Sequence, residues 1–235
     1  MCTGRVHAGS GAVGGLAVGI VLHKTLGYDA TLSGFTAGMA LLCDTDSCGS
    51  TPSRSLGFVS GAVSHVIRLV SGGHRHATHS FLGIAAFTGL AVLASRYRHD
   101  YAGMAGLALL ITLTVSGAAG ALRIADSHKA DVIGIAVAAG VVFLGYGLAL
   151  IPLAVALGCT LHCVLDSCTD SGVNWLFPWR YRFHLLPEPL AWTTGSRPET
   201  MIVAPALLIA FLALGSWAMA PGADLAVWGW AMHAV

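Results

Sequence analysis

The residues able to do chemistry gather in three short clusters and one outlier. Leu41-Leu42-Cys43-Asp44-Thr45-Asp46 closes one apolar run. Gly73-His74-Arg75-His76-Ala77-Thr78-His79-Ser80 precedes another, and His162-Cys163-Val164-Leu165-Asp166 closes a third. His7 stands near the start of the first apolar run. On a helix, residues i and i+4 share a face, so His162 and Asp166 point the same way one turn apart. An imidazole nitrogen and a carboxylate oxygen so placed can bind one metal ion, or the carboxylate can bridge two. Burying such groups at a membrane helix end is costly unless a partner neutralises them, and a divalent cation neutralises several carboxylates at once. Zinc accepts His and Asp ligands; manganese and iron accept similar sets.

Each cluster alone has a plainer reading. Asp44 and Asp46 could mark the chain's exit from lipid. His74, His76 and His79 could be an interfacial pH-sensitive patch, and His162 with Asp166 a structural hydrogen-bonded pair. Arg75 could hold a phosphate or serve as a topogenic charge. What favours a shared metal site is that every cluster falls at a helix end on one side of the membrane.

That placement follows from the elements. Apolar runs predict helices over 8–23, 30–43, 80–95, 103–121, 132–149, 151–165 and 200–219. A full span needs about 20 residues, so the first two runs suit a tight pair that enters and leaves without fully crossing. Leu56, Val59, Val63, Val66 and Val70 recur at helical spacing, predicting an amphipathic helix on the bilayer surface. The stretch 166–199, with its aromatic and Arg-rich Asn174–Pro189 segment, suits an interface, as do Trp228 and Trp230 in the tail. The N-terminal run resembles a signal peptide only superficially and reads as a retained first helix. The fold class is therefore an all-α integral membrane protein. It is a bundle of about six to seven transmembrane or re-entrant helices plus one interfacial helix, in a single domain over 1–235.

Following the spans alternately across the bilayer puts all four chemical features on one side. That side carries nine Lys and Arg residues against three (Lys24, Arg96, Arg98) on the other. The positive-inside rule makes it cytoplasmic, in a plasma (inner) membrane. Composition agrees with the membrane class. Only 10% of the 235 residues are charged, 55% are hydrophobic, and mean hydropathy is +0.75. A soluble domain carries roughly 25% charged residues. Net charge is +1, which gives no basic stripe for nucleic acid. The six cysteines form no CxxC pair and read first as free buried thiols, with metal, redox or disulfide roles left open.

The order of motifs resembles the YdjM/YbcI-type membrane-bound metal-dependent hydrolases of bacteria and archaea. That family shows an N-terminal His, an LPDIDH-like segment, an HRGxTHS segment and an HLLLDxxTxxG segment. His7, Leu42–Ser47, His74–Ser80, and His162–Asp166 with Thr169 and Gly172 look like these in turn, and Phe177-Pro178-Trp179 fits the trailing pattern. The resemblance covers residues 1 to about 190. Cys43 stands where the family tends to have Pro, Ser47 where it often has His, and His76 where it has Gly, which would offer a substitute ligand. The His-x-x-x-Asp pair with an upstream Asp and His is also similar to the zinc-dependent phospholipase C and P1 nuclease arrangement. Carried over, that similarity implies His7, Asp44, His79 and His162 as terminal ligands of one to three ions and Asp166 as a bridge.

The expected function is thus metal-assisted hydrolysis of a phosphoester or lipid-type small molecule at the cytoplasmic membrane face. Asp46, His74 and Arg75 are the candidate catalytic residues, and zinc is the first choice of ion, ahead of manganese or iron. A non-enzymatic metal transporter or sensor is the alternative. A serine hydrolase is disfavoured, because Ser80 and His79 are sequence neighbours and no GxSxG elbow occurs.

Overall fold

The computed structural model describes residues 3–22 and 25–220. Cys2, Lys24 and the proposed Trp228–Trp230 belt lie outside them. The regular elements of the described chain are helices: α1 (Gly4–Val21), α2 (Leu26–Met39), α3 (Thr51–Arg54), α4 (Phe58–Ser71), α5 (Phe81–Arg96), α6 (Tyr101–Ala121), α7 (Ser127–Leu144), α8 (Ile151–Ser167) and α9 (Ala204–Ala218). Short 3-10 turns at Cys43–Asp46 and Ala77–His79 interrupt the helices where the Asp and His clusters fall. Side chains stop the orphan amides at several starts. Thr25 accepts from Tyr28 N, Ser80 from Gly83 N, and Asp126 from Lys129 N.

Four helical stretches are long and apolar enough to cross a membrane: Tyr101–Ala121, Ser127–Leu144, Leu148–Ser167 and Glu199–Ala218. The apolar helices α4 and α5 are shorter. At 1.5 Å per residue the 14 residues of α2 reach about 21 Å, less than the ~30 Å of hydrocarbon. That length suits the re-entrant pair expected from sequence.

α1 and α2 pack closely because Gly11, Gly15 and Gly19 form one face of α1. A Cβ on Gly11 would meet Thr36 O at 2.3 Å, and one on Gly15 would meet Ser33 Cα at 2.7 Å. Small residues at four-residue spacing let two backbones approach this way. α8 runs through the middle, packed on α1, α2 and α5, while α6 and α7 form an antiparallel pair. The apolar core joins Leu32, Phe35 and Met39 of α2 to Leu107 and Ile111 of α6 and Ile151 and Val155 of α8.

The outer surface is that of a membrane protein. α9 packs on α1 and has no buried residue, leaving Leu208, Ile209 and Leu212 outward. α4 is the amphipathic helix read from sequence, and it is turned apolar side out. Phe58, Val66, Leu69 and Val70 are exposed, whereas Ser60, Ser64 and Ser71 face the protein. Ser60 Oγ donates to Ser53 O at 3.0 Å. An apolar face pointing away from the protein needs a nonaqueous neighbour.

Candidate metal centre

Four elements deliver the site. The first turn of α1 carries His7 inward, fully buried. Glu199, buried at the head of the α9 segment, accepts from Thr3 N and from Gly195 N, which ties down the start of α1. The 3-10 turn after α2 swings Asp44 and Asp46 into the interior, where both are buried. Gly72, Gly73 and Arg75 all take positive φ (78°, 120° and 61°) and fold the next segment back over it. A positive φ is costly for Arg. Here it lets Arg75 N donate to Asp46 Oδ2 at 3.3 Å while the guanidinium reaches Asp166 Oδ2 at 2.7 Å. The last turn of α8 supplies His162 and Asp166 on one face. Gly158, one turn earlier, lets α8 lie against the end of α2, so that His162 Nδ1 donates to Ala40 O at 2.6 Å.

All eight residues singled out from sequence therefore meet. His7 Nε2 faces Asp166 Oδ1 at 3.3 Å, and its ring stacks on His162 with centroids 3.7 Å apart. Asp44 Oδ1 lies 3.8 Å from His79 Nε2 and 3.7 Å from His162 Nε2. Asp166 Oδ2 lies 3.9 and 3.7 Å from the same two nitrogens. The four separations of 3.7–3.9 Å exceed hydrogen-bond lengths. They match donors that straddle an ion, since two ligand atoms about 2.1 Å from a tetrahedral ion stand about 3.4 Å apart. Three donor sets have ligand atoms within 4.8 Å of one another: His7, Asp44 and His162; Asp44, His74 and His79; and His79, His162 and Asp166.

Tautomers sharpen the case, following the hydrogen-bond network as such assignments must. Because His162 Nδ1 donates to Ala40 O, its Nε2 carries a lone pair. Thr78 donates its hydroxyl proton to Asp46, so its oxygen accepts from His79 Nδ1 at 3.0 Å. The lone pair of His162 Nε2 thus faces His79 Nε2 across 3.1 Å, in a fully buried place. A proton held on His79 Nε2 or a metal ion can join the two nitrogens. The electrostatics favour positive charge there. Burial opposes charge on His79, yet the carboxylates of Asp44 and Asp46 outweigh it and raise its pKa to about 10. Burial likewise works against the Asp44 and Asp46 carboxylates. The imidazoles of His162 and His79 bring Asp44 below the ordinary range, and His74 and His79 bring Asp46 well below it. Three buried carboxylates face one fixed cation, Arg75, among the described residues. The residues fit a divalent ion.

Asp46 stands behind the imidazoles. It takes His74 Nδ1 at 2.6 Å and the Thr78 hydroxyl, besides the Arg75 amide. His76, the possible substitute ligand, belongs to none of the three donor sets; it is half-buried beside Phe177. Ser80 caps α5. Cys43, Cys159, Cys163 and Cys168 are buried free thiols, and Cys48 is an exposed one. Sequence reading missed Thr78 as a proton donor to Asp46, the Ala40 carbonyl, and Glu199. It also missed the loop that covers the site, where Arg75 Nη1 donates to Gly172 O at 3.1 Å and Trp175 Nε1 to Ser167 Oγ at 2.8 Å.

No curated protein and no solved structure matches the chain. A family model described as YdjM inner membrane protein matches residues 1–223, covering all four motif segments, and the chain belongs to that family.

Proposed function

We propose that this chain is a zinc-dependent phosphoester hydrolase, a single membrane-embedded domain that crosses the inner membrane several times with its metal cluster at the cytoplasmic face. The observation that carries the reading is the pair of inward-facing imidazole nitrogens 3.1 Å apart, flanked by Asp44 and Asp166. Donors at helix ends on one face suit a surface site better than a transport path, which places polar groups near the bilayer midplane.

His7, Asp44, His79, His162 and Asp166 would hold the ions. Asp44 and Asp166 both lie 3.7–3.9 Å from His79 and His162 Nε2 and would be the carboxylates shared between ions. A bound divalent ion supplies a water of lowered pKa and neutralises charge building on a phosphoryl oxygen. His74 is the one imidazole among these four histidines that reaches solvent, with 25% of its side chain exposed. Asp46 holds its Nδ1 and so orients the ring, and His74 would take a proton from the attacking water. Asp46 is a positioning residue. Arg75 presents a buried Nε that has no hydrogen-bond partner among the described residues, and that N–H can hold a phosphoryl oxygen.

The test is elemental analysis of detergent-purified protein, beside hydrolysis of p-nitrophenyl phosphate and of short-chain phosphatidic acid. At least one zinc per chain is expected. His162→Ala should lose it together with turnover, by at least 100-fold. Zinc content and turnover both unchanged in His162→Ala and Asp166→Ala would overturn the reading. Metal uptake into proteoliposomes that requires Asp44, without hydrolysis, would replace it with transport.

A further inference from the structure

A second feature adjoins the metal cluster on the far side of Arg75. A cavity of about 230 Å³ is lined by Arg75, His76, Asn174, Arg180 and Arg182. At roughly 30 Å³ per liquid water, that is room for about eight waters, enough for a phosphate and part of its hydration. No carboxylate lines it. Arg75 and Asn174 are buried, while Arg180 and Arg182 are exposed at the mouth.

The charge there is only partly compensated. Arg75 is paired with Asp166, but Arg180 and Arg182 form no ion pair among the described residues. Beside the Arg75–Asp166 pair, Arg180 and Arg182 add two positive charges with no acid in the lining, which favours an anion there. Two buried polar groups also lack partners: Arg75 Nε and the Asn174 side-chain oxygen. The Asn amide can be turned to present its NH2 instead, so both can donate to an anion. The arrangement is built by the fold. Val173 and Phe183 exchange two backbone hydrogen bonds, Val173 N to Phe183 O at 3.1 Å and Phe183 N to Val173 O at 2.8 Å. That pairing sets Asn174 beside Arg182, and Arg182 Nη1 is further steadied by donating to Ser171 O at 3.0 Å.

We propose that this basic cavity binds a phosphate group, free or carried on a lipid headgroup, one guanidinium away from the metal cluster. Planar guanidiniums match phosphate oxygens two at a time, which a lysine does not. The proposal deepens the reading of the cluster as a phosphoester site and rests on it for the phosphate's role. Binding itself is measured separately from metal content and turnover.

The experiment titrates the full chain in detergent with inorganic phosphate, and separately with dihexanoyl phosphatidic acid, by calorimetry. The Arg180→Gln/Arg182→Gln double variant is titrated alongside. At least one probe should bind, with affinity at least ten-fold weaker in the double variant and zinc content unchanged. Binding of inorganic phosphate identifies a free-phosphate site; binding of the phosphatidic acid alone identifies a headgroup site. Should the double variant not fold, wild-type protein carries the test, since the bound probe should protect Arg180 and Arg182 from phenylglyoxal as read by peptide mass spectrometry. No binding by either probe, binding indifferent to the substitutions, or no protection would overturn the proposal. Phosphate binding retained in a protein that neither holds zinc nor hydrolyses esters would instead sink the hydrolase reading and leave the anion site standing.

Discussion

Asp46 shows how many groups one carboxylate can hold in place. It receives His74 Nδ1, the Thr78 hydroxyl and the Arg75 amide, and lies 3.5 Å from His79 Nδ1. Groups that orient ligating imidazoles typically tune metal affinity by about 10–100-fold. Asp46→Asn keeps the shape and removes the charge, so it should weaken zinc binding within that range while leaving the number of ions per chain unchanged. Asp44→Asn removes a donor shared by two sets and should lower the number itself. Zinc titration with a competing chelator separates the two outcomes. Equal loss of stoichiometry in both variants would return Asp46 to the ligand set.

The site is only as good as the contact between α2 and α8. A Cβ on Gly158 would sit 2.6 Å from Ala40 N and 2.7 Å from Met39 C, both backbone atoms that cannot step aside. Overpacking of this kind costs about 1–3 kcal/mol, against a gain of up to about 1 kcal/mol in helix propensity. Gly158→Ala should therefore lower the unfolding temperature in detergent. It should also cost zinc, because pushing α8 away from α2 breaks the His162–Ala40 hydrogen bond. Gly140 on α7 has nothing within 4 Å of an added Cβ, so Gly140→Ala should leave both measurements at or above wild type. A Gly158→Ala protein as stable and as zinc-rich as wild type would mean the helices hold their distance by other means.

For the molecule as a whole, the proposed topology sets the cluster and the α5–α6 turn on opposite faces of the membrane, with the cluster in the cytoplasm. Cys48 lies exposed in the loop after the Asp44–Asp46 turn, and Tyr101 is 94% exposed at the start of α6. An impermeant maleimide should label Cys48 in inverted membrane vesicles and not in intact spheroplasts. Tyr101→Cys should show the reverse, with each site read by peptide mass spectrometry. Labelling with the opposite sidedness would turn the protein over and place hydrolysis outside the cytoplasm.

The membrane class and the helical fold were legible from the chain itself, and the eight residues that meet were conspicuous in it. A hydrophobic period writes a helix wherever it occurs, and His and Asp at helix ends are conspicuous in a sequence with 10% charged residues. The outward turn of α4 was half legible: its stripe showed an amphipathic helix, but which way the stripe faced depended on a Ser face finding the protein. The tertiary structure alone decided which groups hold the histidines in place. The Ala40 carbonyl is backbone and has no residue type to betray it. Thr78, Gly158 and Glu199 are ordinary residues until a neighbour distant in the chain gives them a role. Arg180 and Arg182 read in sequence as interfacial charges. They became walls of a cavity only because three positive-φ residues and one backbone pairing bring the loop over Arg75. Local patterns fix which residues are helical and which are polar. Approach distances between remote backbones fix which polar groups share a space.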